Sequence, residues 1–288
     1  MSTLTLATPR DFRFDAAVGS YGYCQLAPNV WSPGEGVLRT TLRAGGQVVQ
    51  AVITATPNAL RLKTDRTVDR AEQQAIKSAA RRMLRLDENL GAFHRMYPQA
   101  RKTGFGRLLR SATLFEDVVK TMTSCNVAWP STVRMNARLC EHFGDGAFPT
   151  PQALARVEPE QLKEIARVGY RAERIVRLAR DVADGRLDLD AFEAPGRDSE
   201  ELFDALRRIH GVGPYAAANI LQHLGRYDRL PIDSECYAHF CRKFELDKPD
   251  NPASLDHSIR EHYDRYAPFQ FLVYWHELWS DYVKGNDQ

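Results

Sequence analysis

The 288-residue chain predicts a mainly α protein with an N-terminal α+β domain, residues 1–92, followed by a helical region, residues 93–288. Three observations carry that expectation. VLRTTLRAG, QVVQAVITAT and ALRLKT are short, β-branched and roughly alternating, with Gly, Pro or Asn between them, which is the pattern of half-buried strands. From about residue 90 apolar residues recur at helical spacing instead. The later segments also open on Thr or an early Pro and close on Gly, the start and stop signals of helices.

Taken in order, Gly45-Gly46 reads as a hairpin turn between the first two strands. AEQQAIKSAARRMLRL is a helix with Ala75, Ile76, Ala79, Met83 and Leu84 on its apolar side. TLFEDVVKTMTSC starts at Thr113 with Glu116 three residues on, a capping-box pattern, and its apolar face is Leu114, Phe115, Val118, Val119 and Met122. GDGAFPTP breaks the chain. TPQALARV and EPEQLKEIA follow, and RAERIVRLARDVADG is a helix ending at Gly185. DSEELFDALRRI carries Leu202, Phe203, Leu206 and Ile209 on one stripe. The final helix, FQFLVYWHELWSDYV, is aromatic along one side, with Trp275 and Trp279 read as core.

Composition bounds the function. Lys and Arg number 39 against 37 Asp and Glu, but the first 100 residues hold 13 basic and 8 acidic side chains. Basic runs at Arg81-Arg82, Arg101-Lys102 and Arg167 to Arg180 are compatible with a phosphate backbone or with a solvated surface. The five cysteines have no C-x-x-C spacing, which argues for reduced thiols and against a zinc site or an iron–sulfur cluster. No apolar run approaches 18 residues and no signal peptide is visible, so the expectation is an intracellular protein without a membrane segment, cytoplasmic or at the nucleoid if the source is bacterial; a monomer is expected.

RRIHGVGPYAAANIL carries the chemistry. One helix ends near Ile209, Gly211 and Gly213 permit a tight turn, and Pro214 opens a second helix from about Tyr215 to Leu224, closed by Gly225. Such a turn offers backbone N–H groups at a helix start, an anion site suited to phosphate; an ordinary αα-corner has the same look. Eighteen residues after Tyr215, LPIDSE places Asp233 behind the polar loop GRYDR. The array resembles the helix-hairpin-helix DNA glycosylase superfamily, closest to its 3-methyladenine and 8-oxoguanine branches. The resemblance extends over residues 105–282 through SATLFEDVVKTMTSCNVAWPSTVRMNARLCEHFG, VGYRAERIVRLARDV and HYDRYAPFQFLVYWHELW. The first domain is similar, in element order, to the TATA-binding-protein-like sheet domain of those branches.

The resemblance implies roles. His210, Gly211, Val212, Gly213, Tyr215 and Ala216 would hold a DNA phosphate. Asp233 would stabilise positive charge at the sugar and orient or deprotonate water; it also fits a helix N-cap. Bifunctional members keep a lysine where Tyr215 stands, and a phenol forms no imine, so a monofunctional, hydrolytic enzyme is expected. Tyr215 either stacks on an extruded base or packs between helices. Asn126 aligns with the asparagine that the 8-oxoguanine branch inserts opposite the vacated position, or it caps its helix. Trp129 lines the pocket or packs in the core, and Asn29 and Trp31 pose the same choice. Two helical subdomains would flank a base-binding cleft. The carbonyls of Arg207, Ile209 and Val212 would hold Na+ or K+, and no other cofactor is expected. Glu235, where several members keep histidine, and Ser234 are departures. The implied partner is double-stranded DNA with damaged bases, and the implied activity is release of a damaged purine of the alkylated, 3-methyladenine type. Two rivals stand: an oxidised-purine glycosylase, suggested by Asn126, and a non-catalytic DNA-binding module.

Overall fold

In the computed structural model, which describes residues 1–286, the elements in chain order are β1 (Thr3–Ala7), α1 (Phe14–Gly19), β2 (Val30–Ser32), β3 (Val37–Ala44), β4 (Gln47–Thr56), β5 (Ala59–Thr64), α2 (Arg70–Met83), α3 (Gly91–Met96), α4 (Pro98–Thr103), α5 (Leu114–Ser124), α6 (Trp129–Phe143), α7 (Pro151–Ala155), α8 (Pro159–Ala166), α9 (Arg171–Ala183), α10 (Ser199–Arg207), α11 (Pro214–His223), α12 (Ser234–Phe244), α13 (Asp256–Asp264) and α14 (Gln270–Asn286). The three strands predicted from alternation are β3, β4 and β5. β1 and β2 complete an antiparallel sheet in the order β1-β5-β4-β3-β2. Gly45 and Gly46 make the β3–β4 turn with φ of 57° and 78°, the two left-handed residues that let a two-residue hairpin match strand twist.

The molecule divides into two compact units that do not follow the linear boundary at residues 92 and 93. The first joins Met1–Leu90 to Lys102–Ala191; the second joins Gly91–Arg101 to the chain from Phe192 onward. The reason for the first grouping is chemical. Arg82 of α2 forms an ion pair with Asp117 of α5 at 2.9 Å, where the Asp117 side chain is fully buried. The Tyr23 hydroxyl donates to the Asp117 carbonyl at 3.3 Å, and Arg43 of β3 donates to the Gly144 carbonyl at 2.7 Å. Sheet and helices therefore share buried polar partners, which neither half could leave unpaired without cost.

In the first unit the alternate positions Leu38, Leu42, Val49, Ile53, Leu60 and Leu62 point from the sheet onto Ile76, Ala80 and Met83 of α2. The capping box belongs to α2: Asp69 accepts from the Glu72 N–H at 2.8 Å, and Glu72 accepts from the Asp69 N–H at 3.0 Å. At α5, where the box was expected, only half forms. Thr113 accepts from the Glu116 N–H at 3.2 Å, but the Glu116 carboxylate turns to Lys120, 2.7 Å away, and both side chains are buried. Lys120 lies over the rings of Tyr23 and Phe148, 5.2 and 5.7 Å from their centroids.

In the second unit Tyr263, Phe271, Leu272 and Val273 are completely buried, and Phe93 of α3 packs on Phe269 with ring centroids 5.5 Å apart. Trp275 stacks on Phe271 at 5.9 Å. Among the described residues no helix is long and apolar enough to cross a membrane, and no group of His, Cys, Asp or Glu is placed to hold a metal ion.

Candidate active site and nucleic-acid interface

The hairpin is built by ordinary helix-end chemistry. Asp198 starts α10 by accepting from the Glu201 N–H at 2.9 Å. After Arg207 the chain tightens: the Ile209 N–H donates to the Leu206 carbonyl and the Val212 N–H to the Ile209 carbonyl, both at 3.0 Å. Gly211 takes φ of 85°, which a Cβ would oppose. Ile209 and Val212 point inward and are buried; His210, Gly213 and Pro214 face solvent.

Gly213 is the N-cap of α11 and supplies no side-chain cap, and Pro214 has no N–H to lose. The N–H groups of Tyr215 and Ala216 belong to the first turn, where helix geometry provides no acceptor, while the Ala217 N–H returns to the Gly213 carbonyl at 2.9 Å. The outer edge of the turn thus combines exposed glycine backbone with the positive end of a helix. Of the three carbonyls that the resemblance assigns to a monovalent cation, that of Ile209 already accepts from Val212.

Asp233 belongs to the same unit. It is the N-cap of α12, with φ of −143°. Its Oδ1 accepts from the N–H groups of Glu235 and Cys236 at 3.0 and 2.9 Å. Its Oδ2 accepts from the Tyr215 hydroxyl at 2.9 Å. The cap reading of Asp233 is therefore a fact of the geometry, and it consumes only one oxygen. Tyr215 is half-buried and directed at a carboxylate from another helix, an orientation that neither base stacking nor plain interface packing anticipates.

The surroundings sort the remaining polar groups. The Glu235 carboxylate is paired on its own helix: its Oε1 accepts from Arg242 at 3.1 Å. Burial, then the charge of Asp233, pushes the Cys236 thiol up to about 12, so it stays protonated. Farther along α12, His239 and Lys243 reach Glu277 of α14, at 3.5 and 2.6 Å, and Tyr263 donates to the same carboxylate at 2.7 Å. The helix that carries Asp233 is thus anchored along its length.

Asn126 and Trp129 belong to the other unit. Asn126 is exposed and left-handed, with φ of 52°, two residues past the end of α5. Sequence reasoning missed what holds it there. Arg171, buried at the start of α9, donates to the carbonyls of Met122 at 3.0 Å, Cys125, and Asn126 at 3.4 Å. One guanidinium therefore closes the open end of α5. The sequence marked Arg171 by a basic run and by the VGYRAERIVRLARDV resemblance, neither of which names its partners, 45 or more residues away.

Trp129 opens α6 with about a third of its surface exposed. Its Nε1 donates to Gln25 at 2.8 Å, and its ring edge lies against Gly22, where an added Cβ would sit 2.8 Å from Cζ2. It is pinned to a surface turn rather than buried in the core. Asn29 and Trp31 are structural: Asn29 accepts from Thr40 at 2.8 Å and donates to the Tyr23 carbonyl at 3.1 Å, while Trp31 meets Phe14 edge-on at 5.6 Å.

A glycine hairpin, a helix start with no side-chain cap and an aspartate N-cap 18 residues after Tyr215 define a class. Residues 119–264 match the HhH-GPD superfamily of base excision DNA repair proteins, and the chain belongs to that family. It is 29% identical over 119 residues to DNA-3-methyladenine glycosylase 2 of Escherichia coli, covering 38% of this chain and 41% of that one. Its fold is similar to that of a 3-methyladenine DNA glycosylase from Archaeoglobus fulgidus, with a TM-score of 0.71 at 19% identity over 98% of this chain and 99% of that one. It is also similar to an 8-oxoguanine glycosylase/lyase from Clostridium acetobutylicum, with a TM-score of 0.69 at 18% identity over 96% of each chain. The chain spans about half the length of the curated relatives it matches.

Proposed function

We propose that this protein is a monofunctional DNA glycosylase that extrudes a damaged, alkylated purine and releases it by hydrolysis. The observation that carries the reading is Asp233, held at the start of α12 beside the hairpin, with Tyr215 rather than a lysine against it. Family membership supports DNA repair, and the names of the curated relatives support the alkylated class.

The hairpin N–H groups take a backbone phosphate and fix the register of the strand. The base leaves the stack. The C1′–N bond breaks with both electrons passing to the base. Positive charge at the sugar faces the Asp233 carboxylate. Water adds to C1′ through its oxygen, and its proton passes to Asp233 and then to solvent. Tyr215 has no amine to attack C1′, so the product is an abasic site in an intact strand.

A duplex panel carrying alkylated and oxidised purines, read by mass spectrometry under single-turnover conditions, tests this. Base release from alkylated duplex is expected, with strand breaks only after alkali. Asp233→Asn should abolish release while leaving duplex binding in place. Full activity of that variant, or a borohydride-trapped protein–DNA adduct, would overturn the mechanism.

A further inference from the structure

We propose that Tyr215 is a positioning residue that sets which lone pair of Asp233 faces the sugar. The inference rests on the glycosylase reading above and deepens it. The two donors on Oδ1 come from α12 itself, from Glu235 and Cys236. Any aspartate N-cap has such donors, and they fix one oxygen. They give Oδ2 no partner from its own helix, so the carboxylate can still rock within the slack of the hydrogen bonds on Oδ1. The Tyr215 hydroxyl, from α11, is the third point and fixes the plane.

The accounting of lone pairs then selects one oxygen. A carboxylate oxygen accepts about two hydrogen bonds. Oδ1 accepts two and is saturated. Oδ2 accepts one, from Tyr215, and nothing else among the described residues donates to it. Oδ2 therefore keeps the one lone pair that can meet the sugar cation or take the proton of water. Asn219 steadies the same turn by donating to the Tyr215 carbonyl at 3.2 Å. Throughout the reaction Tyr215 keeps its proton and acts only through Asp233, so the benefit is preorganisation of charge before the bond breaks.

Two measurements on the full chain test this. One is the single-turnover rate of base release from an alkylated duplex. The other is the ratio of Kd values for two duplexes: one with a neutral tetrahydrofuran at the lesion site, one with a cationic pyrrolidine. Tyr215→Phe should slow release about 10- to 100-fold and erase a similar share of the preference for the cationic duplex. Binding of the neutral duplex should stay within about twofold, the signature of an interaction made only with developing charge. In an Asp233→Asn background the same substitution should add nothing. Wild-type rate and preference in Tyr215→Phe, or equal weakening of both duplexes, overturns the proposal. Tighter binding of the cationic duplex overturns it too, because the hydroxyl would then be only a sink for negative charge. Wild-type protein that releases no base from any lesion sinks the glycosylase reading, while the two-duplex comparison still decides what Tyr215 does.

Discussion

Glu277→Gln tests whether the helix carrying Asp233 is anchored by charge. The Glu277 carboxylate gathers His239 and Lys243 of α12 and Tyr263 of α13. Burial alone would raise its pKa, but hydrogen bonds from His239, Lys243 and Tyr263 outweigh burial and bring it from 4.5 down to about 2. A folded pKa below the unfolded one gives stability that is complete above the unfolded value. That stability is lost as pH falls through the window from 4.5 to about 2. At about 1.4 kcal/mol per pH unit, the ionised group contributes on the order of 3 kcal/mol at pH 7 and about 1.4 kcal/mol at pH 3. His262 titrates in a higher window. Burial, then Lys243 and Arg265, lowers it from 6.5 to about 4, with Glu277 a minor influence. Glu72, held low by its hydrogen bond from Arg66, also titrates in the acid range, so the Glu277 contribution is read as the difference between the native chain and the variant. Urea unfolding followed by tryptophan fluorescence should show Glu277→Gln about 2–3 kcal/mol less stable than the native chain at pH 7, with the gap roughly halved at pH 3. A gap that stays constant over that range would refute the reasoning and make the loss one of shape.

Three further substitutions probe the other parts. Gly211→Ala forces a Cβ into φ of 85° and should cost about 1–2 kcal/mol in thermal unfolding, while duplex affinity falls and its salt slope shrinks by about one phosphate. Gly22→Ala places a methyl 2.8 Å from the Trp129 ring; melting should show a loss of about 1–3 kcal/mol, and Trp129 emission should shift to the red as the ring leaves Gln25. Arg171→Met keeps the stem but removes the donors to Met122, Cys125 and Asn126. Unfolding should show a loss of about 1–3 kcal/mol or more, and hydrogen exchange should rise at the end of α5 and not in α11.

The legible parts of the fold were those written in local periodicity. Phe115, Val118, Val119 and Met122 are buried as their spacing predicts. The opposite side of α5 was illegible: Glu116, Asp117, Lys120, Thr121 and Thr123 are buried as well. A polar residue signals solvent only when its partner is unknown; Asp117 is buried because Arg82 meets it, and Arg82 lies on α2. β1 alternates in the same way as β5, with which it pairs from Thr3↔Lys63 to Ala7↔Ala59, but five residues gave too little pattern to separate it from a loop. In the site, the hairpin and the aspartate were visible because glycine, proline and helix-capping residues have few interchangeable uses. The contact from Tyr215 to Asp233 was not visible, because it depends on the packing of α11 beside α12 and on no local preference. Trp129 failed for the same reason: Gly22 and Gln25 stand more than 100 residues before it.

The geometry also removes a choice that the sequence had posed for Asp233. An aspartate before a helix reads either as a cap or as a catalyst, and in general the two uses compete for the same lone pairs. Here they divide between two atoms. Oδ1 satisfies two amides at the start of α12, and Oδ2 accepts one hydrogen bond among the described residues, from Tyr215. Capping then serves the proposed chemistry, because the amides that close the helix hold the charge in place before any substrate arrives. It also explains why asparagine is the informative replacement. Its carbonyl can still take both α12 amides, so the helix start survives, while the charge at the second position is gone. Alanine would remove cap and charge together, and a loss of activity in that variant would not distinguish a missing catalyst from a frayed helix.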